Sequence, residues 1–117
     1  MKLMGEEIPS VEVGYSPSFE LFWKTFPGSD RYLHWPETRK LRISKKDTYK
    51  AYLHALNSVS SEKLLKALTQ ELENRRSQIG KDNPFKFMKG SFRWLEDQMY
   101  NEVEVPETLT YANDELL

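Results

Sequence analysis

Cysteine is absent from the 117-residue chain, which excludes disulfides and thiolate-held metals and makes a cytoplasmic setting the expectation. No apolar run approaches the roughly 20 residues that a membrane-spanning helix needs, and the opening MKLMGEEIPSVEVG has no secretory core. No membrane partner is expected. Histidine is scarce: His34 and His54 stand outside any H-x-x-x-H or H-E-x-x-H setting. Neither a Gly-rich phosphate loop nor G-x-S-x-G occurs. Without such patterns, neither catalysis nor a cofactor is expected. Acid pairs such as Glu71 with Glu73 and Glu96 with Asp97 read as solvated helix faces.

Basic residues stop at Arg93. Beyond it, residues 94–117 carry seven acids and no Lys or Arg, while residues 24–93 carry 16 Lys or Arg against seven Asp or Glu. Residues 1–23 hold one Lys against four Glu, so the net charge of −1 conceals a basic body between acidic ends. Hydrophobic content is low at 38% and charged content high at 30%, but aromatics reach 13%. A small core built from large rings, in one domain, is implied.

The aromatics are spaced for helices. Ser16 or Ser18 can cap a first helix with Pro17 in its first turn. Phe19, Phe22, Trp23 and Phe26 then share one face until Pro27 and Gly28 stop it. Residues 28–43 show no sustained period and predict a long ordered loop, anchored by Tyr32, Leu33 and Trp35. Ser44 and Asp47 form a capping-box-like pair for a second helix with Tyr49, Leu53 and Leu56 on one side and Tyr52 beside them. Ser58 or Ser60 caps a third helix with a stripe of Leu64, Leu65, Leu68 and Leu72, ending at Gly80 and forming an antiparallel hairpin with the second. Asn83 and Pro84 open a last helix with Met88, Phe92, Leu95 and Met99 on one face and Gly90 inside it. The expectation is an all-α bundle of about four helices over residues 16–100, with a long basic loop, an N-terminal arm (1–15) and an acidic C-terminal tail (101–117). Phe92 and Leu95 would close the core over Phe19, Phe22 and Phe26.

Arg39, Lys40, Arg42, Lys45, Lys46 and Lys50 fall within twelve residues, across the loop and the start of the second helix. Lysines at a helix N-terminus oppose the helix dipole, so local stability does not account for Lys45 and Lys46 there. Their number and the neighbouring Trp35 fit phosphate contacts with base stacking, which predicts DNA binding, single-stranded above all. A second group, Arg75, Arg76, Lys81, Lys86, Lys89 and Arg93, would join that surface if the fold placed it alongside. In the tail, Leu109, Tyr111, Leu116 and Leu117 are candidates for docking a partner or the body itself.

Three pieces follow one another in a distinctive order: FELFWKTFP (Phe19 to Pro27), SKKDTYKAYLHAL (Ser44 to Leu56) and FKFMKGSFRWLEDQMY (Phe85 to Tyr100). With F-x-x-F-W-x-x-[YF]-P at one end and W-L-x-x-x-x-[WY] at the other, the chain resembles a small domain of phage and prophage replication proteins. There it commonly follows a winged-helix origin-binding module and is linked with helicase loading or primosome assembly. Here Tyr100 stands where a second Trp is typical, and the segment from Pro27 to Lys45 is longer than the usual link. The resemblance implies a replication accessory protein that binds DNA and contacts a replicative helicase or another replication protein. The competing expectation is a phage inhibitor or adaptor that docks a protein and never touches nucleic acid.

Overall fold

The computed structural model describes residues 14–78 and 80–105, and among them four α-helices and no sheet are found. Helix α1 (Pro17–Thr25) begins as its sequence dictates: the Ser16 hydroxyl accepts the Phe19 N–H, Pro17 occupies the first turn, and Phe26 leaves helical geometry ahead of Pro27. Phe19, Phe22 and Phe26 are fully buried, each contributing about 1.5–3 kcal/mol of burial. Half-buried Trp23 flanks them.

Helix α2 (Lys45–Ala55) starts after Ser44, but Ser44 has φ 43° and its hydroxyl bonds the Asp47 carboxylate at 2.9 Å, so no backbone N–H is capped. The inner face is also rotated from the expected one. Thr48, Ala51, Tyr52 and Ala55 are buried, while Leu53 is exposed and Tyr49 and Leu56 are half-buried. The neighbour is α4: α2 packs on it, and the small side chains of Ala51 and Ala55 let the two helices approach. The Thr48 hydroxyl fixes the rotation, meeting Ile43 O at 2.6 Å and the Ser91 hydroxyl at 2.9 Å.

Helix α3 (Ser61–Arg76) is capped by Ser60, whose hydroxyl accepts the Lys63 N–H at 3.0 Å. Leu64, Leu68 and Leu72 are buried as the stripe requires. The helix ends four residues before Gly80, which therefore does not terminate it. It packs on α1 and on a 3₁₀ turn (Met99–Asn101), and it barely touches α2, so the expected α2–α3 hairpin is not formed. Glu71, expected on a solvated face, is buried instead. Its two oxygens take the Trp94 indole N–H at 2.8 Å and Arg75 Nε at 2.8 Å, which offsets the cost of burying a carboxylate.

The last helix is much shorter than its periodicity suggests. Asn83 closes a single turn, its side chain accepting the Phe85 N–H and its carbonyl the Lys86 N–H. Helix α4 (Ser91–Glu96) begins afresh with Gly90 as its N-cap. The loop supplies the break: Ser91 N–H donates to Leu41 O at 2.7 Å, a bond to a distant carbonyl in place of a helical one. A Cβ at position 90 would lie 3.0 Å from Ile43 Cγ1 and 3.3 Å from Leu41 O, so glycine allows this contact. Trp94, not Phe92, closes the core, with ring centroids 5.8 Å from Phe22, 6.1 Å from Phe26 and 6.0 Å from Tyr100. Phe92 is half-buried.

Val103 and Val105 pack against this core, so the body runs past the expected boundary at residue 100. At the other end, the Tyr15 ring meets Tyr49 edge-on at 5.0 Å. Residues 1–13 of the arm and 106–117 of the tail, including Leu109, Tyr111, Leu116 and Leu117, lie outside the described residues. No described helix is long and apolar enough to cross a membrane.

Candidate nucleic-acid interface

The long loop is built around a carboxylate. Asp30 is buried, and its oxygens accept the Thr38 N–H at 2.8 Å, the Arg39 N–H at 3.2 Å and the Thr38 hydroxyl. Burial by itself would raise the Asp30 pKa, but the hydrogen bonds outweigh it and hold the group below the usual carboxylate range. Two isolated bridges, Ser29 with Lys40 and Tyr32 with Trp35, double the loop back on itself. Its anchors are Asp30, fully buried Leu41 and Tyr32, whose ring meets Phe85 edge-on at 5.2 Å. Leu33, expected as an anchor, is instead 73% exposed at the tip of the Tyr32–Trp35 turn, with φ 51°. A two-residue turn needs a left-handed position there, and the leucine takes it.

The basic residues of the first cluster divide by what their side chains hold. Arg39 donates through Nη2 to the carbonyl oxygens of Lys86 and Met88, both at 2.6 Å, and of Phe85 at 3.3 Å. Arg42 donates to Phe26 O at 2.8 Å and Lys24 O at 3.1 Å, tying the loop to the end of α1. Both guanidinium groups thus bind backbone. Lys45 pairs with Glu20 at 2.9 Å and lies over the rings of Tyr15 and Trp23, at 4.7 and 5.8 Å. That contact accounts for a lysine where the helix dipole disfavours one. Lys40 is exposed, with a loose 3.6 Å pair to Glu37. Lys46 and Lys50 are exposed and have no ion pair among the described residues.

The second group is sorted the same way. Arg75 is held between Glu71 and Pro84 O, the latter at 2.7 Å. Lys89 pairs with Asp97 at 3.2 Å. Arg76, Lys81, Lys86 and Arg93 are exposed and have no ion pair among the described residues, and Lys86 Nζ lies over the Phe87 ring at 5.3 Å.

The fold brings the two groups together. Arg39 stitches the loop to residues 85–88, Asn83 Nδ2 donates to Asp30 O at 2.6 Å, and Ile43 N–H donates to the Ser91 hydroxyl at 2.9 Å. Trp35 and Lys86 consequently line one cleft of about 190 Å³, together with Pro36, Thr38 and Asp82. The His34 ring stacks on Trp35 at 4.1 Å and 29° between planes. A separate, open cleft between α2 and α4 is lined by Lys50, His54 and Phe92 and by the acids Asp47 and Glu96. Among the described residues no three His, Cys, Asp or Glu side chains converge as metal ligands would.

No protein-family model, curated protein sequence or solved structure matches the chain. The geometry is therefore what bears on its function. Sequence reasoning missed the part played by Asp30 and Asn83, although an Asp soon after a helix stop and an Asn before Pro are both turn-forming signals. It found Trp35 but could not pair it with Lys86.

Proposed function

We propose that the protein is a non-catalytic DNA-binding accessory factor of a phage-type replication apparatus, contacting a helicase or another replication protein as well. One observation carries the DNA-binding reading: the Arg39 guanidinium, 2.6 Å from Lys86 O, seats the two basic segments side by side. Lys40, Lys46 and Lys50 from one and Lys86 and Arg93 from the other are the exposed cations that this reading assigns to phosphates. Five phosphates neutralised on a single strand would give a log–log salt slope of about −3.5. The order of aromatic motifs supports the replication setting. Titrating labelled single- and double-stranded oligonucleotides at several salt concentrations tests the reading. Binding that weakens with that kind of slope is expected, and no binding at the lowest salt would refute it.

A second reading, a protein-docking adaptor without nucleic-acid contact, is favoured by the exposure of Leu33 and of Phe87, which is 78% accessible. It predicts that Leu33→Ser with Phe87→Ser abolishes capture of a partner while Lys46→Glu with Lys50→Glu does not.

A further inference from the structure

We infer that the Trp35 cleft receives one unpaired nucleobase, so that the protein selects single strands over duplex; this rests on the DNA-binding reading above. The cleft has the parts such a site needs: an aromatic wall, a cation and an uncommitted carboxylate. One wall is the Trp35 indole, one face of which is covered by the His34 ring stacked at 4.1 Å, so a base would use the other. A platform already ordered in this way loses little side-chain freedom when a base stacks on it. Lys86 lines the same cleft, exposed and without an ion pair among the described residues, its Nζ 5.3 Å from the Phe87 ring, and can take the backbone phosphate that follows the base. The volume of about 190 Å³ has room for one planar ring system.

The polar groups of the cleft separate into those already committed and those left over. The Asp30 carboxylate is filled by Thr38 and Arg39, and the Asn83 amide by Asp30 O and the Phe85 N–H. The Asp82 carboxylate has no ion pair among the described residues. It would repel a phosphate but can accept from the exocyclic amino group of a base, as carboxylates do from cytosine. A bound nucleotide would therefore set its base edge toward Asp82 and its phosphate toward Lys86. Its frame is rigid, because the Arg39 fork and the Asn83 bond fix the loop wall to the 83–88 wall. A base in a duplex cannot enter without being flipped out of its stack, which is the source of the strand preference.

The test compares full-length wild type, Trp35→Ala and Trp35→Phe for binding to a short oligo-dC single strand and to a duplex of the same length. Trp35→Ala should weaken single-strand binding about tenfold or more, Trp35→Phe much less, and duplex binding should change less than about twofold. Single-strand affinity of Trp35→Ala within twofold of wild type would overturn the base site while leaving salt-dependent DNA binding intact. Failure of wild type to bind either oligonucleotide would overturn both. Photocrosslinking wild type to an iododeoxyuridine-containing strand avoids reliance on a variant. An adduct on Trp35 supports the site, and adducts confined to α2 overturn it.

Discussion

Trp94 donates its indole N–H to Glu71 Oε1 at 2.8 Å in the interior, joining the middle of α3 to the residue that closes the core. The other carboxylate oxygen holds Arg75, which in turn donates to Pro84 O, so one buried acid organises three segments. Glu71→Ala would orphan a buried indole N–H and strip Arg75 of its partner. A loss of about 2–4 kcal/mol is expected, measured by urea denaturation. Glu71→Gln keeps an acceptor for Trp94 and should cost less than half as much. Equal losses for the two variants would show that the charge, not the indole bond, is what matters.

Stability should fall in acid through Asp30. Its folded-state pKa lies below the unfolded value, because hydrogen bonds to the carboxylate outweigh the burial that opposes them. Its contribution is therefore present above the unfolded pKa and is lost as pH falls through the folded one. Urea midpoints recorded from about pH 5 down to about pH 2 should decline, and Asp30→Asn should flatten part of that decline. An identical pH profile in the variant would remove Asp30 from the account.

Leu33→Gly should stabilise the protein. Leucine at φ 51° costs about 1–2 kcal/mol, and the greater freedom of an unfolded glycine returns about 0.5–1 kcal/mol of that. The net gain of about 0.5–1 kcal/mol would appear as a raised urea midpoint. A lowered midpoint would mean that the exposed side chain makes stabilising contacts after all. That the chain keeps a leucine here, exposed and in a costly conformation, is what a contact residue would show.

Lys46→Glu with Lys50→Glu separates binding from folding. Both side chains are exposed and unpaired among the described residues, so stability should change by no more than about 0.5 kcal/mol for each. DNA affinity should drop about tenfold or more, with the log–log salt slope shallower by about 1.4. Unchanged affinity and slope would take α2 out of the interface. Lys45→Glu is a poor substitute, since Lys45 is tied to Glu20, Tyr15 and Trp23.

The legible parts of this fold are those decided by neighbours a few residues away. Ser16, Pro17 and the Phe19–Phe22–Phe26 spacing specify α1 because cap, first turn and apolar face all act within one or two turns. Ser60 and the Leu64–Leu68–Leu72 stripe do the same for α3. Met88, Phe92 and Leu95 share a helical period, yet Leu41 O captures the Ser91 N–H and a new helix starts there. Period alone puts Leu53 inside, but packing on α4 turns Ala51 and Ala55 to the inner face. The interface divides along the same line. Clustering revealed a basic surface, but Arg39, Arg42 and Arg75 turn inward to carbonyls that only the folded chain presents.

The Arg39 fork closes a span of 47 residues to Lys86 in a chain without sulfur bridges. A fastening of this kind requires no oxidant to form and no isomerase to correct. It can open and re-close at equilibrium, and reducing agents have no purchase on it. Refolding should accordingly proceed equally well in dithiothreitol and in air. The two walls of the Trp35 cleft would re-form together, because one side chain belongs to the first wall and bonds the second.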